Sequence, residues 1–105
     1  MVKGSAPIDE YFDQKLAKNY HVLVEGGKVF STTLNQTNIK NNNNKFYLLQ
    51  ILQSDSNPNS CYFFTRWGRV GVPGQFSNQG PYSKAVAMNF YTKKYDEKYK
   101  KGDYR

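Results

Sequence analysis

The segment C-Y-F-F-T-R-W-G-R at residues 61–69 decides how the rest of the chain is read. Its aromatic and β-favouring residues specify a strand, in which successive side chains point to opposite faces. Trp67 and Arg69 therefore point together, in line with Cys61 and Phe63, while Arg66 points the other way. Gly68 between them leaves room for another backbone to come close. Gly71 and Gly74 continue the segment into a glycine-rich turn. The three glycines follow a G-x-x-G-x-x-G spacing that opens no helix. This spacing is neither a dinucleotide fingerprint nor a P-loop, so turn geometry is the natural reason for it.

On the N-terminal side, residues 45–52 read as a strand with apolar side chains on both faces, and residues 54–60, with Pro58 inside, as a surface loop. Residues 20–25 and 28–34 are rich in strand formers and flank Gly26 and Gly27, which predicts a β-hairpin. Residues 35–44 hold six Asn and read as a loop. Residues 1–19 mix Gly4, Pro7 and scattered charge and are expected to be a leader or linker, packing locally through Tyr11 and Phe12. The folded domain is expected over residues 20–105.

On the C-terminal side, the stretch up to Gly80 is ambiguous. Ser83 then caps a helix predicted to run to about Lys101. Val86, Ala87, Phe90, Tyr91, Tyr95 and Tyr99 recur at helical spacing, with Ala87, Phe90, Tyr91 and Tyr95 expected on the sheet, and the other face is mostly Lys, where Lys93, Lys94 and Lys98 could neutralise phosphates. The fold class is α+β: a small antiparallel sheet with one helix packed on it.

With 105 residues, one domain is expected, and an aromatic content of 16% opposes disorder. The net charge of +7 favours a polyanionic partner such as nucleic acid, an acidic membrane or an acidic protein. No long apolar run suggests a membrane span, and Asp9, Glu10 and Asp13 stand where a signal peptide would be apolar. Cys61 is the lone cysteine, which excludes an internal disulfide and suits a reducing compartment. His21 is the lone histidine, so a metal site or a histidine-centred triad lacks its parts. Asp96 and Glu97 lie among lysines as solvated ion pairs. No catalytic residues, metal or cofactor are expected.

What remains is basic and aromatic. An indole such as Trp67 can stack on a sugar or base, and Arg69 beside it can take a phosphate bidentately. By pattern alone Trp67 could equally continue the apolar face of Cys61 and Phe63 into the core. Lys40, Asn44 and Lys45 add hydrogen-bond donors and charge in the Asn-rich segment, which could also be a plain turn.

Taken together, T-R-W-G-R-V-G at residues 65–71 with Gln75, L-N-Q-T-N at residues 34–38 and N-N-N-N-K-F-Y-L-L-Q at residues 41–50 resemble the WGR domain of DNA-dependent poly(ADP-ribose) polymerases. The likeness is to the PARP-2 and PARP-3 type and runs from about Tyr20 to Lys98, with F-Y-T-K-K-Y at residues 90–95 in the helix. The resemblance implies a non-catalytic module that binds the end of a DNA break and recognises its 5′ phosphate. Trp67 would pack on the terminal sugar. Asn44, Lys45 and Lys40 would line the phosphate side, with Gly68 between the contacts. Arg69 would touch both DNA and a neighbouring regulatory domain, relaying the break to a polymerase catalytic region, in a nuclear setting. Family members continue into a further extended segment with a phosphate-contacting Tyr. No residue here matches it, and Tyr104 is not assigned that role. The competing expectation is a structural adaptor that docks an acidic protein, for example in a cytoplasmic or cytoskeletal assembly.

Overall fold

The computed structural model describes residues 6–38, 43–102 and 104–105. Its organising element is the strand β5 (Asn43–Ser54), the longest of the sheet. Phe46, Leu48, Gln50 and Leu52 occupy one of its faces and Tyr47, Leu49 and Ile51 the other. A strand apolar on both sides has to be central and covered twice. One edge of β5 pairs antiparallel with β6 (Cys61–Arg69), which in turn pairs with β7 (Gln75–Tyr82). The other edge serves two strands in succession, β1 (Tyr20–Val22) and β4 (Ser31–Asn38).

This arrangement modifies the hairpin expected around Gly26 and Gly27. Both glycines have positive φ, of 58° and 80°, as the turn requires. However, only β2 (Val24–Glu25) and β3 (Lys28–Val29) form the hairpin ladder. The longer arms leave each other for β5, which is long enough to pair with both. Leu23 N–H donates to the Ile51 carbonyl, and Ile51 N–H donates to the Phe30 carbonyl at the branch point.

Residues 35–38 and 43–44 are paired strand and not the loop expected from their asparagines, while residues 39–42 lie outside the described residues. Asn35 pairs with Phe46 and Thr37 with Asn44, so the ladder continues well into this stretch. Cross-strand pairing overrides the weak strand preference of Asn. The ambiguous stretch before Gly80 is β7. Its residues are mostly exposed, as befits an edge strand, so it shows little apolar alternation.

Helix α2 (Lys84–Asp96) begins at Ser83, whose hydroxyl accepts the Val86 N–H at 3.2 Å, and a π-helical turn (Glu97–Lys101) extends it. Ala87 and Tyr91 are the buried residues of α2, and Tyr95 four residues further packs partly on the same core. Ala87, Tyr91 and Tyr95 thus lie on the sheet as expected, and Phe90 is the exception. Phe90 is 39% exposed, lying at the rim with its ring stacked on Phe63 and tilted against Tyr82.

Residues 6–19 form a layer on the opposite face. Asp13 caps the short helix α1 (Gln14–Ala17), and Phe12 is buried edge-on against Phe64. Phe12, Val22, Leu52 and Phe64 make a second core, separate from the one under α2. The expected local packing of Tyr11 and Phe12 is therefore packing on the sheet itself.

Candidate nucleic-acid interface

Register brings the basic and aromatic residues together. Lys45 lies directly opposite Arg69, and Tyr47 opposite Trp67, so these four residues share the α2 face at one end of the sheet. The Trp67 and Tyr47 rings are stacked, with centroids 5.6 Å apart and planes 12° from parallel. Tyr47 is buried in the core, with burial pushing its hydroxyl above the ordinary range, while Trp67 is partly exposed. The indole thus rests on the core and presents its remaining surface. Tyr104 meets Tyr47 edge-on at 6.1 Å, and the Lys98 ammonium lies 4.8 Å from the Tyr47 ring centroid. Gln75 on β7 faces Trp67 across the next ladder.

The resulting surface has an aromatic platform in which the Tyr47 ring backs the indole. Exposed Lys45 and Arg69 lie at its end and Lys98 arrives from the helix side. It suits stacking on a sugar or base with cations placed for adjoining phosphates. Among the described residues, no three His, Cys, Asp or Glu side chains gather as a metal site, and no helix is long and apolar enough to cross a membrane.

Other expected site residues fall elsewhere. Asn44 precedes Lys45 by one residue, so alternation puts it on the opposite face from Trp67; its carbonyl accepts the Val70 N–H at 2.8 Å. Lys40 lies outside the described residues. Gly68 is approached closely, but by the chain's own turn: a Cβ there would lie 2.8 Å from the Gly74 Cα. Gly74 has φ +79°, and a Cβ on it would come within 2.1 Å of the Trp67 carbonyl oxygen. Gly74→Ala is therefore expected to lower stability by about 2 kcal/mol, read as a fall in the denaturant midpoint; an unchanged midpoint would refute this close packing.

Tyr47 is the addition that reasoning from residue type alone does not supply. Tyr47 reads as one more apolar residue of a central strand until the register sets it under Trp67. Lys98 is one of the helix lysines expected near phosphates, and it lies over the Tyr47 ring.

Comparison with known proteins gives a consistent result. The WGR domain family matches residues 30–105. The chain is 46% identical over 99 residues to poly [ADP-ribose] polymerase 2 of Arabidopsis thaliana, covering 93% of this chain and 15% of that protein. It is 47% identical over 77 residues to poly [ADP-ribose] polymerase 2 of Homo sapiens, covering 73% and 13%. It is also similar to the human protein mono-ADP-ribosyltransferase PARP3, at 45% identity over 71 residues, covering 68% and 13%. The chain thus spans only 13–15% of the length of these relatives.

Proposed function

The chain belongs to the WGR domain family, and from that premise we propose that it is a DNA-binding module that recognises strand breaks through the 5′-phosphorylated end. The observation that carries this reading is the Trp67–Tyr47 stack, with Lys45 and Arg69 paired across the strands beside it. Trp67 covers the terminal sugar, and Lys45 and Arg69 take the phosphates. Lys98 adds charge from the helix side. Recognition goes to the backbone and the end, since reading base edges would need side chains placed in a groove.

Arg69 also contacts a neighbouring regulatory region and relays the break to a polymerase catalytic region, in cis or in trans, within the nucleus. This extension is supported by the relatives, which are named as polymerases or transferases and whose length lies mostly outside the matched region.

Titration of a duplex with one open end and one end closed by a hairpin tests the reading. A 5′ phosphate on the open end is expected to tighten binding about tenfold, the contribution of one charge-assisted hydrogen bond. Equal affinity with and without the phosphate would overturn the end-recognition reading.

A further inference from the structure

We propose that Asp9 and Arg66 form a latch that positions Trp67 and Arg69 from the opposite face of the sheet, making residues 6–12 part of the DNA-binding machinery. Arg66 is next to Trp67 in sequence but points into the N-terminal layer. Its Nε and Nη2 donate to the Asp9 carboxylate at 3.0 and 2.9 Å, and its Nη1 donates to the Pro73 carbonyl at 2.7 Å. The guanidinium also lies 4.7 Å from the Tyr11 ring centroid and 5.0 Å from that of Phe46. One planar fork therefore joins the N-terminal layer to the turn between β6 and β7.

Both ends of this connection are anchored. The Asp9 carboxylate also accepts the Tyr11 N–H at 3.1 Å, and its own backbone N–H donates to the Gln50 side chain at 2.9 Å. The Gln50 amide in turn donates to the Pro7 carbonyl and the Ser31 hydroxyl. At the other end, Pro73 is followed by Gly74, whose backbone packs against Gly68 and the Trp67 carbonyl. Val72 N–H donates to the Arg69 carbonyl at 3.2 Å. A shift of Pro73 is thus passed to the backbone that carries both Trp67 and Arg69. Arg66 and Asp9 are positioning residues that touch no DNA themselves.

The inference rests on the DNA-end reading and gives an effect of opposite sign to simple charge. Removing an acid from a DNA-binding protein strengthens its attraction to phosphates. Loss of a latch weakens binding instead. In the full chain, Asp9→Asn and Glu10→Gln remove the same charge at adjacent positions, but only Asp9 accepts the hydrogen bonds of the Arg66 fork. Asp9→Asn is expected to weaken binding to the 5′-phosphorylated end about three- to tenfold, the usual size of coupling through a connected element. Glu10→Gln is expected not to weaken it. Arg66→Lys keeps the charge, cannot span Asp9 and Pro73 as a fork, and is expected to weaken binding likewise. Wild-type or tighter binding by Asp9→Asn overturns the latch, and so does equal weakening by Glu10→Gln.

Acrylamide quenching of Trp67, the one tryptophan of the chain, gives a readout without DNA. Within the folded baseline, Asp9→Asn is expected to change the quenching constant and Glu10→Gln to leave it alone; no change in either overturns the latch. Failure of the wild-type protein to bind DNA ends would remove the DNA reading, while quenching still decides whether Asp9 positions Trp67.

Discussion

Tyr91→Ala is expected to lower unfolding stability by about 3–5 kcal/mol, the cost of removing a buried aromatic ring whose surroundings cannot collapse to fill the space. Tyr91 is 2% exposed and is the main side chain that α2 inserts into the sheet. Its ring meets Phe30 edge-on at 5.0 Å and Phe63 at 6.4 Å, so the cavity would open between the helix, the branch point of the hairpin and the centre of β6. Phe90→Ala is expected to cost about 1–2 kcal/mol, because a rim residue leaves a groove that water can enter rather than a void. Chemical denaturation of the two variants checks the contrast. A larger loss for Phe90→Ala would mean that the helix turns a different face inward.

The same residue gives a pH signature. Burial pushes the Tyr91 hydroxyl up to about 12, so the folded state holds a proton that the unfolded chain releases near its ordinary value. The associated stability is fully present below about pH 10 and is lost as pH rises towards 12. Tyr91→Phe is expected to flatten that part of the stability profile. An identical alkaline loss in Tyr91→Phe would assign the effect to other groups.

Trp67→Ala is expected to weaken binding to a 5′-phosphorylated duplex end by about 1–3 kcal/mol, roughly five- to 150-fold, the range for removing one stacked aromatic contact. The indole is pre-set for stacking because Tyr47 holds it from below at 12°. Little ordering entropy therefore remains to be lost on binding. Trp67→Phe keeps a ring over Tyr47 and is expected to retain most of the affinity. Arg69→Ala is expected to fall in the same range as Trp67→Ala, since a guanidinium on a phosphate makes a charge-assisted contact. Thermal midpoints measured in parallel separate a binding loss from a packing loss. Full affinity in a folded Trp67→Ala variant would remove the indole from the interface.

Residues 61–69 were legible because alternation alone sorts Trp67 and Arg69 from Arg66, and the structure keeps that sorting. The capped helix was legible from Ser83 and the helical spacing that follows it. Its inward face was less so, because Val86 and Phe90 are as apolar as Ala87 and Tyr91, and contacts with distant segments, such as Phe30 on Tyr91, select between them. The asparagines misled for a similar reason: Asn35 and Asn44 have turn preferences, but β5 supplies a partner for Asn35 and β4 one for Asn44. Strand β7 was hidden because an edge strand with exposed faces has no need of apolar alternation. The N-terminal layer depends on contacts between residues more than fifty positions apart, such as Asp9 with Arg66, which leave no local trace in sequence. Within the site, Lys45 beside Arg69 and Tyr47 beneath Trp67 are consequences of register, which strand composition does not specify.

The central claim is that the Trp67 face meets the DNA end, and Trp67 fluorescence tests it directly because the chain has one tryptophan. On titration with a 5′-phosphorylated open end, the indole is expected to be quenched by stacking and to become shielded from acrylamide, with the same midpoint as binding followed by anisotropy of labelled DNA. A duplex closed by hairpins at both ends is expected to leave the emission nearly unchanged. Anisotropy that reports saturation by open ends while Trp67 keeps its free-state emission and accessibility would place the DNA elsewhere on the protein and contradict the interface described above.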